Sequence, residues 1–532
     1  MDDNMNVIGP STVGATAPAC RGLAQGRRGF LIGAAAVIGA GLSGLPAFAQ
    51  DKPVRGGALK LGLGGTASTD SLDPATYQTM FHVVLARSWG DTLVETHPET
   101  GVAVPSLAES WEDGENGKVW SFRIRKGVQF HDGRSLTVND AVRSLQRHSD
   151  SRSKSGALGY LSDIDSIGAD GDNMVIRLKS ANADLPMILS MYNLVIQPDG
   201  GFDAVSAGIG TGPYIVESYD PGVRALLKKN PNDWRSDRGH VDSVELLAMN
   251  DVSARTAALA SGQVHLINQL NPNTVSMLER MGRVQIINQP GRLHYTMPMI
   301  GNKAPFDNND LRLAMKYAID REAVLKQVLG GYGTIGNDIP VNAAYDGFPQ
   351  DLPQRPYDPD KAAFHFRKSG FDGTIQLSAA DVFAGGVDLA LMFQQSARKA
   401  GIAVDVQRVP QDGYWSNVWR VKPFYLSYYG SRLTQDMIYS MEFSKHSASN
   451  ECFFDNDEFE KLLVDARGTS DRTLRNEIYG RIARIVHDQA GAIIPVFANF
   501  ISAASPQLKG YTSDVGNDLL NGYVASRVWL EA

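Results

Sequence analysis

The spacing of apolar residues divides the chain into a front part that alternates and a back part that cycles. Leu59, Leu61 and Leu63 fall at every second position, which predicts a strand over 58–63 with one face in a core. A helix is expected over 78–89. Trp120, Phe122 and Ile124 alternate with Ser121, Arg123 and Arg125, the pattern of a half-buried strand over 120–125, and Lys126-Gly127 turns it. A short strand follows at 128–130. Thr137 with Asp140 three residues on has the form of a capping box and starts a helix over 138–148. Strands return at 174–178, over 211–216 and through 223–228, so the part before about residue 300 reads as mixed, with several antiparallel pairs.

Beyond it, apolar residues recur at helical spacing between short strand runs. Helices are expected over 311–319 behind Asp310, 321–329 capped by Asp320, 359–369 closed by Gly370, and 387–400 closed by Gly401. Two more cover 457–467 and 472–489, and strands fall at 374–378, 403–409 and 493–497. Helix alternating with strand predicts an α/β lobe with parallel pairing.

One apolar run fits neither pattern. Arg27 and Arg28 precede an apolar stretch over 30–42 that is too short for a stop-transfer helix, and Ala47-Phe48-Ala49 forms a small-residue cleavage site before Gln50. The same run contains Gly39-Ala40-Gly41-Leu42-Ser43-Gly44, a GxGxxG. A dinucleotide site would need a helix opening at the third glycine and an acid roughly 20 residues on. Pro46 and a glycine-rich strand end stand there instead. A second weak match over 62–67 leads into turn formers over 68–74 and fails for the same reason. Residues 1–49 are therefore read as an export signal, cut near Ala49/Gln50. Arg27-Arg28-Gly29-Phe30-Leu31 resembles the twin-arginine signal, while Gly26 and Ile32 depart from it, and the general secretory route stays open.

The chain has 532 residues with 51 Lys and Arg against 58 Asp and Glu, a net charge of −7. The expected signal holds three arginines and two aspartates, so cleavage makes the balance more negative, which argues against nucleic acid as a partner. This length implies two or three lobes. No other apolar run is long enough to span a membrane. Cys20 leaves with the signal and Cys452 stays alone, so neither an intrachain disulfide nor a cysteine metal cluster is expected.

The search for chemistry is negative. GxSxG, HExxH and the Walker A pattern are absent, and the histidines are scattered without a metal-binding pair. Asp163 with Asp165 and Asp455 with Asp457 sit in polar loops, a poor setting for a glycosidase acid. No enzyme, cofactor or metal site is expected, and the chain reads as one built to hold something.

Ordered blocks then bring a resemblance. The segments 104–111 (VPSLAESW) and 120–133 (WSFRIRKGVQFHDG) are followed by Gly210-Thr211-Gly212-Pro213-Tyr214, Asn230-Pro231 with Trp234, Ser261-Gly262-Gln263, Ala304-Pro305-Phe306-Asp307 and Ala318-Ile319-Asp320-Arg321. In this order they resemble the landmarks of the periplasmic solute-binding proteins of dipeptide, oligopeptide and nickel ABC transporters, the extracellular solute-binding protein family 5. The resemblance implies an α/β periplasmic-binding-protein type II fold of cluster C, with two lobes, a two-strand hinge and an extra inserted small α+β domain. Lobe I would comprise 50–85, 211–298 and 498–532, the inserted subdomain 86–210, and lobe II 299–497. It further implies a periplasmic monomer that encloses a small-molecule or peptide ligand by hinge closure and docks on permease subunits in the inner membrane.

Peptide-binding relatives anchor the peptide's amino terminus with an aspartate in a GWxxD-like segment. Here that segment reads Ser427-Tyr428-Tyr429-Gly430-Ser431-Arg432, so Ser431 replaces the acid and Arg432 adds a guanidinium suited to a carboxylate or phosphate. An anion-bearing solute near Arg432 is expected; the competing reading is an internal ion pair from Arg432 to Asp436. Trp415 and Trp419 are taken to share a helix face, as core or as cleft lining. Tyr428, Tyr77, and His294 with Tyr295 are further candidates by position. Asn337 and Asp338 follow a glycine cluster and either reach the cleft or serve the turn. A metal-chelate or haem carrier would need histidines converging in the cleft, for which only His294 is placed, and an exported hydrolase would need a catalytic group not visible in the sequence.

Overall fold

The computed structural model describes residues 52–383 and 385–531, so the signal expected over 1–49 lies outside the described residues. Leu59, Leu61 and Leu63 are fully buried in the strand Ala58–Leu63, which runs parallel to both Ser243–Ala248 and Leu266–Ile267. Burying each leucine contributes about 1.5–3 kcal/mol. On the opposite face a Cβ at Gly62 would come within 3.2 Å of the Met249 sulfur and 3.3 Å of Ile267, its partner on the neighbouring strand, so glycine there leaves room for both side chains.

Three bodies form around separate cores. The first gathers Leu59, Phe81, Trp89, Leu246, Ala504 and Val528. The helix Met80–Trp89 runs through the boundary expected at 85/86, with Ala86 and Trp89 still in this first core. The inserted body holds an antiparallel sheet in the order Ala108–Gly114, Val119–Ile124, Asn173–Leu178, Ile164–Asp170, around Phe122 and Ile176. Its helix Val138–Ser149 starts at the capping box expected, with Thr137 accepting from the Asp140 N–H and Asp140 from the Thr137 N–H. The strand expected at 128–130 reduces to a single bridge between Gln129 and Ser135.

The remaining body packs around two cores, one of Met297, Leu311, Leu377, Phe393 and Val496 and the other of Tyr439, Phe459, Ile482 and Ile494. Ile375–Ala379 pairs parallel with Val404–Arg408, as the alternating grammar predicts. Asp320 caps Arg321–Val328, and Gly370 at φ 72° closes Pro359–Ser369. Asn308, not Asp310, caps Asn309–Tyr317; Asp310 instead accepts from His365 and Lys368.

Two long strands join the bodies. Gln285–Pro298 and Ala492–Ala504 pair antiparallel from Gln285 opposite Ala504 to Pro298 opposite Ala492. One end enters the sheet of the first body beside Leu266–Ile267, the other lies in the core of Met297 and Val496, and a nine-stranded sheet results. The pairing shifts register between Gln289 and Leu293, where a Cβ on Gly291 would collide with the Ala498 carbonyl oxygen. The inserted body is fastened to the first through Asp91, which accepts from Thr211 at 2.8 Å, Trp234 at 3.1 Å and Arg235 at 2.7 Å. Beside it Glu95 is buried, which pushes its carboxyl up, but Arg238 and Arg235 outweigh burial and hold it down to about 2.

Candidate ligand-binding site

A cavity of about 330 Å³ opens where the three bodies meet. Tyr77, Arg87 and Asn517 contribute from the first body, Tyr160 from the inserted body, and Ser431 and Arg432 from the body beyond the long strands. None of the described residues lining it is acidic. Two further cavities adjoin it between the inserted body and the last one, sharing Tyr160, Leu433 and Met437 with it.

Arg432 lies between the strand Ser427–Tyr429 and the helix Gln435–Phe443, whose N-cap Thr434 accepts from the Met437 N–H. Its Nη1 donates to the Ser431 carbonyl at 2.9 Å and its Nη2 meets the Met441 sulfur at 3.1 Å. Its Nε and the Ser431 hydroxyl are buried without a hydrogen-bond partner. Asp436 is taken by Arg467 at 2.9 Å, so the competing ion pair to Arg432 is not formed. The loop is held from the long strand: Arg292 donates to the carbonyls of Arg432 at 3.1 Å and Leu433 at 3.3 Å.

The first body's wall carries backbone strain. Leu519, Leu520, Asn521 and Gly522 have φ of 53°, 57°, 54° and 83°, four consecutive left-handed residues. Non-glycine residues in that region cost about 1–3 kcal/mol each and persist where surrounding contacts enforce them. Asp518 does so here, accepting from the Leu519 N–H at 2.8 Å and the Ser502 hydroxyl at 3.2 Å, while burial pushes its carboxyl up to about 6. Asn521 donates to Thr96 Oγ1 at 2.8 Å.

The other expected residues distribute unevenly. Tyr77 lines the cavity, but its hydroxyl is spent on the Leu72 carbonyl at 3.1 Å and its ring stacks on His82. His294 is 0% exposed, 2.8 Å from Glu442 and packed between Tyr429 and Phe497, so it is a core histidine. Tyr295 stacks on Phe383 at 3.9 Å. Asp338 is fully buried, accepting from Arg321 at 2.7 and 2.8 Å and from Arg355 at 3.0 Å, and Asn337 accepts from the Arg355 N–H; neither residue lines this cavity, and Asp338 sits in a buried ion network. Trp415, Trp419 and Tyr428 form an aromatic shelf with Phe383 outside this cavity, and Trp415 is 46% exposed. The helix expected to align the two tryptophans is only Tyr414–Asn417, and Trp419 lies beyond it, donating its Nε1–H to Glu451.

Arg87, Tyr160, Tyr192 and Asn517 line the cavity and carry no signal in the sequence. Arg87 looks there like an ordinary cation in the last turn of a helix. Among the described residues no three His, Cys, Asp or Glu side chains gather to hold a metal ion.

Residues 102–451 match the family described as bacterial extracellular solute-binding proteins, family 5 Middle. The chain belongs to this family. The solute-binding protein is 23% identical to the dipeptide-binding protein of Escherichia coli over 79% of its own length and 86% of the relative's. It is 26% identical to heme-binding protein A of Haemophilus influenzae, over 79% and 83% of the two chains. The solved structure of HbpA2 from Haemophilus parasuis superposes with a TM-score of 0.79 at 20% identity, covering 90% of this chain and all of that one, and the α/β binding-protein fold follows. As a member of this family it is a binding protein and not an enzyme.

Proposed function

We propose that this solute-binding protein is the periplasmic receptor of an ABC importer for a small polar, anion-bearing solute, held at Arg432 in the cavity between the bodies. The three bodies are read as lobe I, the inserted domain and lobe II, and the two long strands as the hinge on which they close. Export would rest on the signal read over 1–49, and the closed monomer would dock on permease subunits in the inner membrane.

The observation that carries the reading is the state of Arg432: a guanidinium in a cavity without acidic lining, the acids Asp436 and Glu442 near it engaged by Arg467 and His294, and its Nε unpartnered. An ammonium-anchored peptide would find no carboxylate on these walls. The cavity's volume lies at the low end of small-molecule sites, roughly 300–1,000 Å³. Native mass spectrometry of gently purified protein tests the reading, with an acidic small molecule as the expected passenger. A basic peptide in its place would overturn it.

A further inference from the structure

We propose that the solute carries two acidic groups, and that Arg87, which lines the same cavity as Arg432 from the first body, receives the second. This inference rests on the cavity being the solute site. Arg87 stands in the last turn of Met80–Trp89, lines the cavity and is 5% exposed. Its Nη1 donates to Thr92 Oγ1 at 2.9 Å, its Nη2 donates to the Ser190 carbonyl, and its plane lies over the Tyr523 ring at 4.8 Å. Its Nε is buried without a partner, and among the described residues no carboxylate forms an ion pair with it.

The acids of the adjoining segment are already engaged. Asp91 pairs with Arg235, and Glu95 with Arg235 and Arg238. A buried cation bonded only to neutral oxygens is costly unless an anion completes its shell. Arg432, half-buried in the same cavity, is likewise held by neutral groups, the Ser431 carbonyl and the Met441 sulfur, with its Nε unpartnered. Tyr192 ties the two together: burial raises its phenol, and the guanidiniums of Arg432 and Arg87 both pull it back down, so both charges bear on one cavity side chain.

Two donor walls on two bodies, each bearing a guanidinium, assign the ligand a chemistry and a mechanical part. A monoacid satisfies one wall and leaves the other cation bare. A diacid, either a dicarboxylate or a carboxylate with a phosphate, satisfies both and ties the first body to the one carrying Arg432. The solute is then the latch of its own receptor.

The test is calorimetry on the mature chain with dicarboxylates from succinate to suberate, phosphoglycolate, and the matched monoacids. The expected result is at least one diacid bound about tenfold more tightly than its monoacid, with Arg87→Gln shrinking that preference to less than about twofold. The phosphoglycolate arm separates a phosphate at either wall from a second carboxylate. A thermal melt of each variant checks folding, and Arg87→Lys, which keeps the charge and loses the fork, is the second variant and should also lower the preference. Equal affinity for diacids and monoacids would overturn the two-acid inference and leave the anion reading standing, provided Arg432→Ala still weakens both. Failure of every acid to bind, with a neutral or basic passenger found in the purified protein, would overturn both.

Discussion

Arg467 grips Asp436 through Nε at 3.0 Å and Nη2 at 2.9 Å, and that grip leaves Arg432 without the acid four residues away. Arg432→Ala should therefore cost binding and not folding. A charge-assisted hydrogen bond is worth roughly 1.5–3 kcal/mol, so affinity for the co-purified solute should fall about ten- to a hundredfold in calorimetry. The melting temperature should stay near that of the unaltered protein. Unchanged affinity would remove Arg432 from the site.

Asp338→Asn should do the opposite. It strips the charge from an acid that Arg321 and Arg355 both hold in the core. Breaking a buried pair of this kind costs about 3–5 kcal/mol, seen as a lower denaturant midpoint. Lost binding with full stability would return Asn337 and Asp338 to the cleft.

Glu451 gives a pH signature. Burial pushes its carboxyl up to about 8, opposed by hydrogen bonds from Ser427 and Trp419 and helped by the nearby Glu442. The folded protein thus keeps a proton that the unfolded chain gives up near the ordinary glutamate value, about 4.3. Stability from this group is whole below that value and is lost as pH rises through about 8. Unfolding free energies measured between about pH 5 and 9 should fall more steeply for the natural protein than for Glu451→Gln, which mimics the protonated acid. Parallel curves would show that Glu451 is not held neutral.

Gly291→Ala should disturb the hinge. A Cβ there collides with the Ala498 carbonyl, and the same residue's own carbonyl accepts from Asn342 at 2.8 Å. Overpacking at such a crossing costs about 1–3 kcal/mol. Small-angle scattering with and without solute should show a smaller ligand-induced change in radius of gyration. A variant that closes normally would place the bend elsewhere.

Much of the scaffold was legible in the sequence and most of the site was not. Alternation in 58–63, the capping box at Thr137 and the αL stop at Gly370 are local signals, settled by a few neighbouring residues. The ordered landmarks also proved structural: Thr211 and Trp234 meet on Asp91, where the inserted body is fastened. Cavity residues come together from 77 to 521, a distance no local pattern spans. The long strands were half seen, at 493–497, because beyond it Asn499 interrupts the apolar run while pairing continues to Ala504. His294 misled for a related reason: its partner Glu442 lies on a distant helix, and only the fold shows the pair closed on itself.

The paired strands Gln285–Pro298 and Ala492–Ala504 bond to each other across the junction, so they can twist together but cannot slide apart without breaking the ladder. On the proposed closing motion, such a ribbon would make twist the soft coordinate between the ends it joins, as in a torsion bar. What the cavity recognises would then be passed on as that twist. A permease reading that angle would need no contact with the solute, and solutes of different shape could give the same signal provided they hold the bar at the same twist.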